Sequence, residues 1–528
     1  MGKVSATGGL KLFLGVSIST VIMAVGTVVL ARLLSQDEYG MYSIALIPSL
    51  MINLFRDWGV NSAATRYIAQ FRATNNEEDV RDIVVAGLVF ETIAGLALSL
   101  VSVFLAIFIA TTVFHRPESA PLISIVSVTT LSGAILTATQ SIFVGYERMG
   151  LNSLTLICQA IAKIAISISL VLLGYGAFGA VIGYTFSFIV AGIVGIATVY
   201  FAVFKQLKRT KKNGSGMTKT LKMMLHYGVP FSISAVLSGF LVQFNNFAMV
   251  SNFTNLVIGN YQVTVNFSVI LTFITLPIST VLFPAFAKLD PRNEKQLLGT
   301  VYASSVKYAS VLLVPATMAM MVLSKPIVST LFGDKWTYAP FFLTVYVISN
   351  LLIVLGSLSM NSLLAGLGET KMLMILNALT LILDIPLVLL LIPAFGILGM
   401  IVGALLAGLP SLFYGLFWAW RRYGVKADFK SSAKLLTASI IATLATYLLV
   451  NLLNVAEWAK LVAGLTAFFA VFILMAPALG AINQSDINNL RVMFSGLGLI
   501  SKLLNIPLTI AEKIARITIL LGARGSKK

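Results

Sequence analysis

GYERMGLNSLTLICQAIAKIAISISLVLLGYGAFGAVIG, residues 145–183, has a similar counterpart later in the chain, and that repeat points to the fold. Residues 366–403 read GLGETKMLMILNALTLILDIPLVLLLIPAFGILGMIVG. Gly145 aligns with Gly366 and Lys163 with Asp384. After a one-residue gap Tyr175 aligns with Phe395, and Gly176, Gly179 and Gly183 with Gly396, Gly399 and Gly403. Further towards the N-terminus, Tyr39-Gly40 resembles Ile258-Gly259. The offset is close to 220 residues throughout.

Each copy consists of two apolar runs around a glycine-containing turn. A membrane-spanning helix needs about 20 mostly apolar residues. Working outward on that criterion, fourteen spans are predicted: 11–34, 40–65, 83–113, 120–145, 152–174, 178–204, 224–250, 256–286, 303–324, 339–366, 371–392, 396–420, 432–453 and 458–478. The second, seventh and eighth are the least apolar and read as helices facing a polar interior. The offset corresponds to six spans, an even number, so both copies insert with the same orientation. The predicted architecture is therefore an all-α polytopic membrane protein of about 14 transmembrane helices. It has two six-helix lobes related by a pseudo-twofold axis along the membrane normal, a cavity between them, and two extra helices. The Gly179–Gly183 and Gly399–Gly403 spacings let helix backbones approach closely in lipid.

Composition agrees. Of 528 residues, 58% are hydrophobic and 11% charged, against roughly 25% charged in a soluble domain. The mean hydropathy is +0.95. The net charge of +18 is dispersed in short blocks between apolar runs, which marks membrane topology and not a nucleic-acid surface. With the N-terminus in the cytoplasm, the external segments hold five basic residues, Arg32, Arg116, Lys325, Lys335 and Lys460. Arg56 and Lys163 lie inside spans, and the rest are cytoplasmic. Localisation follows as the cytoplasmic membrane, with both termini cytoplasmic. The first apolar run is too long for a signal peptide core and reads as a retained span.

The domain organisation predicted from these features is an N-terminal six-helix lobe (1–204), a basic cytoplasmic linker (205–223), a C-terminal six-helix lobe (224–424), two additional helices (425–482) and a cytoplasmic amphipathic tail (483–528). The linker carries seven basic residues around Asn213-Gly214-Ser215-Gly216. Both a topological anchor and contact with anionic lipid fit it. In the tail, 498–521 alternates Leu and Ile with Lys502, Lys513 and Arg516 and is interrupted by Pro507, which reads as interfacial helix.

Several chemistries are excluded. The single Cys158 forms no internal disulfide or cysteine metal cluster, and His115 and His226 are too isolated for a metal site. No nucleotide-binding loop occurs. No cofactor is expected, and the chain is not expected to be an enzyme.

Polar residues inside spans mark the candidate site, because an intramembrane charge needs a partner or water. Lys163 shares a helix face with Gln159 and Ser167. Asp384 stands at the corresponding place in the second copy, with Asn377 and Thr380. Both a packing pair and a cavity-lining role fit these two charges. Span two places Asn53, Asp57 and Asn61 on one face with Arg56 beside it, and Glu91 in span three is within reach of Arg56 or Arg66. Span seven carries Gln243, Asn245 and Asn246, and span eight Asn266, a density of amides that suits a wet or sugar-binding wall. Pro230, Pro277 and Pro284 can break these helices and allow bending where a lobe must rock.

LARLLSQDEYGMYSIAL (30–46) followed by LFRDWGVNSAATRYIAQ (54–70) resembles the opening of polysaccharide and oligosaccharide-lipid flippases, a branch of the multidrug, oligosaccharidyl-lipid and polysaccharide exporter superfamily. Within it, Ser35-x-x-Glu38 fits a capping box starting span two. The resemblance implies two lobes around a cavity that opens alternately to each side. It implies transport of a polyprenyl-linked glycan from the cytoplasmic to the outer leaflet, with membrane lipids and glycan-assembly enzymes as partners and no nucleic acid. It also implies a cation-lined cavity, a role that falls here to Lys163, Arg56 and Arg32. Trp58 departs from the family, where smaller aliphatic residues are usual. The chain is expected to act as a monomer. The alternatives are a cation-coupled multidrug exporter of the same superfamily and a membrane glycosyltransferase or polymerase. The first calls for a deep acidic residue in span one, but no acid precedes Asp37. The second calls for a catalytic centre on a sizeable external loop, which is missing.

Overall fold

The computed structural model describes residues 2–74, 76–206, 216–495 and 505–516, and every regular element among them is helical. The chain groups into two compact units. The first comprises Met1–Gln262 and Val388–Met400, the second Val263–Leu387 and Ile401–Lys528.

The first unit contains α1 (Gly2–Leu33), α2 (Gln36–Asn53), α3 (Val60–Ala73), α4 (Glu77–Phe108), α5 (Ala120–Gly145), α6 (Met149–Leu170), α7 (Gly176–Ala202), α8 (Met217–Asn252) and the start of α9 (Asn255–Ser268). The second contains the rest of α9, α10 (Thr272–Ala287), α11 (Lys295–Val322), α12 (Ser324–Phe332), α13 (Ala339–Tyr346), α14 (Ser357–Gly366), most of α15 (Thr370–Phe395) and of α16 (Ile397–Tyr423), α17 (Phe429–Leu452), α18 (Glu457–Ala478), α19 (Gln484–Ser495) and a helix α20 over 505–516.

Among the described residues, ten stretches are long and apolar enough to cross a membrane, or eleven if the pair Ala339–Leu355 and Ser357–Gly366, bent by 57°, counts as one. One of them, Met149–Ala202, holds two helices: Gly183 of α7 lies on Ser167 of α6 and Gly179 on Leu170, so the pair is antiparallel. Each of the fourteen expected runs carries helix. The stretches that fall short are α2, α3 and α8, in keeping with the weak apolarity of the second and seventh runs. The eighth passes, because its polar half is followed by an apolar one at 269–287.

Helix starts follow local chemistry. Ser35 Oγ accepts the Glu38 N–H at 3.2 Å and the Glu38 carboxylate accepts the Ser35 N–H at 2.8 Å, a complete capping box for α2. The prolines do not end their helices. Helix α8 runs unbroken through Pro230, and α10 contains both Pro277 and Pro284. The break in that span falls at Val269–Leu271, wound as a 3-10 turn, ahead of Pro277. In lipid, packed neighbours re-satisfy the backbone groups a proline frees, so proline need not end a helix.

The repeat is visible in packing. A Cβ on Gly145 would stand 2.9 Å from Ile68 of α3, and one on its counterpart Gly366 would stand 2.8 Å from Phe286 of α10. A Cβ on Gly179 would meet Leu170 at 2.8 Å, and one on Gly399 would meet Leu391, the repeat partner of Leu170, at 2.1 Å. These close approaches are what small residues at helix interfaces provide in lipid. Gly176 and Gly396 both have positive φ, 48° and 60°. The one-residue gap falls at Val171–Tyr175, where the first copy turns from α6 into α7 with Gly174 at φ 91°.

The two Gly-containing helix starts, Tyr39-Gly40 and Ile258-Gly259, pack on each other. A Cβ on Gly40 would lie 2.0 Å from the Asn255 carbonyl oxygen, and one on Gly259 2.4 Å from that of Gln36. Each glycine thus receives the residue four positions before the other, and Asn260 Nδ2 donates to Gln36 Oε1 at 3.3 Å. Beside this crossing Arg116 donates to the carbonyls of Val250 (2.5 Å) and Phe253 and to Asn255 Oδ1 (2.8 Å), capping the end of α8. Burial there pulls the Arg116 guanidinium below its ordinary range.

Apolar packing in the first unit centres on Val60, Ile68, Val84, Phe143, Val199 and Met224, which joins α3, α4, α5, α7 and α8. In the second, Phe286, Leu298, Tyr302, Leu363, Leu376 and Ala419 join α10, α11, α14, α15 and α16. Lys307 of α11 holds Asp486 of α19 at 2.6 Å, and Arg491 and Arg516 share Glu512. The basic linker lies partly outside the described residues, at 207–215. So does the interfacial segment 498–521, apart from 505–516, which is helical.

Candidate functional site

The site begins where span two stops being a helix. The N–H groups of Leu54, Phe55 and Arg56 bond back to Met51, Ile52 and Asn53 at 3.2, 3.0 and 3.3 Å, tightening the chain as it leaves α2. Gly59 then takes φ 77°, a left-handed conformation that favours glycine. A Cβ there would lie 2.1 Å from the Gly228 carbonyl oxygen, so α8 crosses glycine on glycine. The single face expected for Asn53, Asp57 and Asn61 is therefore interrupted, because helical periodicity does not continue across 54–59.

The break turns Arg56 inward. Its Nη2 donates to Thr137 Oγ1 of α5 at 2.9 Å and Nη1 to Asn53 Oδ1 at 3.4 Å. Its Nε stands 3.4 Å from Glu91 Oε2 of α4. Glu91 is 0% exposed, and its other oxygen accepts Asn61 Nδ2 at 2.9 Å. Of the two partners open to Glu91 in the sequence, Arg56 is the one it meets. Arg66 instead lies over the rings of Tyr67 and Tyr227, 4.4 Å from the latter. Asp57 lies half-buried and accepts the Asn61 N–H at 3.4 Å. Taking a charge pair out of water is costly, and removal of one partner leaves the other uncompensated. The surrounding amides and hydroxyl are what make the arrangement tenable.

From Arg56 an aromatic path leads to Lys163. A Cβ on Gly133 would touch Arg56 Nη1 at 3.3 Å and the Phe188 ring at 3.5 Å. Phe188 packs on Tyr184 at 5.2 Å between centroids, and Tyr184 meets the edge of Tyr42 at 6.4 Å. Lys163 Nζ lies 5.4 Å from the centre of the Tyr184 ring, within cation–π range. On the same face of α6, Gln159 is buried, and Ser167 donates to the Ala180 carbonyl at 3.3 Å.

The remaining candidates lie on other helices. Gln243, Asn245 and Asn246 are half-buried on α8, where Asn246 donates to Gln243 at 3.1 Å. In the second unit, Asn266 is exposed on α9 and Asp384 is buried on α15, with Thr380 one turn before it donating to Ser411 at 2.7 Å. Sequence reading missed Thr137, Tyr42, Tyr184 and Phe188. The run of hydroxyls in α5 was a signal for Thr137, but the three rings lie in apolar runs where nothing separates them from packing residues.

Residues 5–290 match the family described as Polysaccharide biosynthesis protein. Over 194 residues the chain is 21% identical to a probable low-salt glycan biosynthesis flippase, Agl15, of Haloferax volcanii, a match covering 36% of this chain and 40% of that protein. The chain thus spans less than half the length of that relative. Among solved structures, the lipid II flippase MurJ in an inward closed conformation superposes with a TM-score of 0.71 at 15% identity, over 88% of this chain and 97% of that one. An inward-facing multidrug resistance MATE family transporter of the MOP superfamily gives 0.62 at 15% identity, over 78% and 98%. These likenesses establish the fold as that of MOP superfamily transporters.

Proposed function

We propose that this chain, which belongs to the polysaccharide biosynthesis protein family, carries a polyprenyl phosphate- or diphosphate-linked oligosaccharide from the cytoplasmic to the outer leaflet of the cytoplasmic membrane. It is a multi-pass membrane transporter; the cargo, the direction and the cytoplasmic placement of both termini are our reading. The observation that carries it is the pair of intramembrane cations in the first unit, Arg56 in its buried polar network and Lys163 against Tyr184. The names of the glycan biosynthesis flippase and the lipid II flippase support it.

Moving a sugar headgroup means crossing about 30 Å of hydrocarbon. Each hydroxyl left without a partner there costs several kcal/mol. In this reading the amides of Gln159, Gln243, Asn245 and Asn246 replace water for the sugar, and Arg56 and Lys163 meet the phosphate linkage. The polyprenyl tail stays in lipid. Alternate opening of the two lobes exchanges access between leaflets. An inside-negative potential assists outward movement of an anion by about 2.3 kcal/mol per charge per 100 mV, so the sign of the cargo requires no coupling ion.

The test uses proteoliposomes containing labelled lipid-linked oligosaccharide from the source membrane, with headgroup accessibility to an added glycosidase followed over time. Faster translocation than in protein-free liposomes, selective for the headgroup, is expected. No acceleration, together with gradient-driven uptake of cationic dyes, would overturn the reading in favour of a drug exporter.

A further inference from the structure

The broken segment of span two does more than turn Arg56 inward. It presents two aromatic rings outward: Trp58 is 55% exposed and Phe55 48%. Tryptophan in a membrane protein is at home in the interfacial belts. Trp58 sits at the break between α2 and α3, between Asp57 and the left-handed Gly59. Its ring is not loose, because Nε1 donates to the Phe55 carbonyl at 2.8 Å and so has its hydrogen-bonding need met internally. The backbone beneath it is pinned, with Gly59 on Gly228 and Leu54 2.4 Å from where a Cβ of Gly239 would stand. With Nε1 engaged, more than half of the residue remains exposed. Beside it, among the described residues, the Asp57 carboxylate accepts one bond, the long one from Asn61.

An oriented aromatic face next to a carboxylate with spare acceptor capacity is suited to a sugar. The C–H-rich face of a pyranose carries weak positive charge and stacks on the negative face of an aromatic ring. Its hydroxyls donate to a carboxylate, and such charge-assisted bonds are the stronger kind. We propose that Trp58 is the platform on which a sugar ring of the cargo stacks, with Asp57 accepting its hydroxyls. This rests on the glycan-lipid reading and adds a specificity determinant to it.

The experiment measures binding to the full-length protein in detergent, by change in tryptophan fluorescence, of two probes: the lipid-linked oligosaccharide and the same polyprenyl diphosphate without sugar. Wild type, Trp58→Phe, Trp58→Leu and Asp57→Asn are compared, each first shown to elute as wild type does in size exclusion. Affinities of the Trp58 variants are read by competition against labelled glycan-lipid. The expected result is that Trp58→Leu and Asp57→Asn bind the glycan-lipid about three- to tenfold more weakly, on the scale of a single aromatic pair or hydrogen bond. Trp58→Phe retains most of the affinity, and all four proteins bind the sugar-free lipid alike. Unchanged glycan-lipid affinity in Trp58→Leu overturns the platform, as does equal weakening for both lipids. Wild type that binds neither lipid overturns the functional reading, and the platform with it.

Discussion

Arg56 Nε stands 3.4 Å from Glu91 Oε2, and the Glu91 side chain is wholly withdrawn from the surface. Removing one member of such a pair strands the other. Glu91→Ala is expected to destabilise the protein by about 3–5 kcal/mol, whereas Arg56→Met combined with Glu91→Leu costs far less. Thermal unfolding of the purified variants in detergent checks this. A double variant as unstable as the single one would show that the loss comes from packing and not from charge. The double variant should fold yet fail in transport, since it removes a proposed phosphate contact.

Glu147 adopts φ 56° at the turn after α5, and its repeat counterpart is Gly368, at φ 76°. A side chain in the left-handed region costs roughly 1–2 kcal/mol, which glycine avoids. Glu147→Gly is expected to stabilise by about 1 kcal/mol and Gly368→Glu to destabilise by a similar amount, read as opposite shifts of the unfolding midpoint.

Gly40 and Gly259 each face backbone, which cannot rotate away as a side chain can. Gly40→Val or Gly259→Val should cost about 1–3 kcal/mol and force α2 and α9 apart. Gly299 of α11 has nothing within 4 Å of a Cβ, so Gly299→Ala serves as the contrast and should stabilise by about 0.5–1 kcal/mol. Equal effects at all three positions would remove the argument from close approach.

Lys163 has the Tyr184 ring as its neighbour. Its loss should cost the fold at most about 2 kcal/mol, the upper range of a cation–π contact. If it meets the phosphate linkage, Lys163→Ala lowers the flipping rate roughly 10- to 100-fold, the worth of a charge-assisted hydrogen bond. Lys163→Arg retains most of it. Normal flipping by Lys163→Ala at equal expression would take Lys163 out of the site.

What depends on local composition and period was legible in the residues alone. Apolar runs of spanning length, the glycine pattern repeated at an offset near 220, and the Ser35–Glu38 cap are short-range properties, and each has its counterpart in the structure. The family could be recognised from the same stretches. Where span two breaks, and with it which way Arg56, Asp57 and Trp58 turn, follows from contacts between helices. Gly59 is one glycine among 40, and its need for a left-handed conformation arises from α8 crossing at Gly228, far along the chain. Glu91 had two arginines in reach by sequence, and the packing of α4 and α5 against the break selected Arg56. Tyr184 and Phe188 are apolar-run residues until α5, α6 and α7 bring them between two cations. The length and apolarity of a run fix which segments enter the membrane, because each segment is sorted between lipid and water on its own composition. Which polar groups then meet depends on contacts between segments distant in sequence, which no local pattern records.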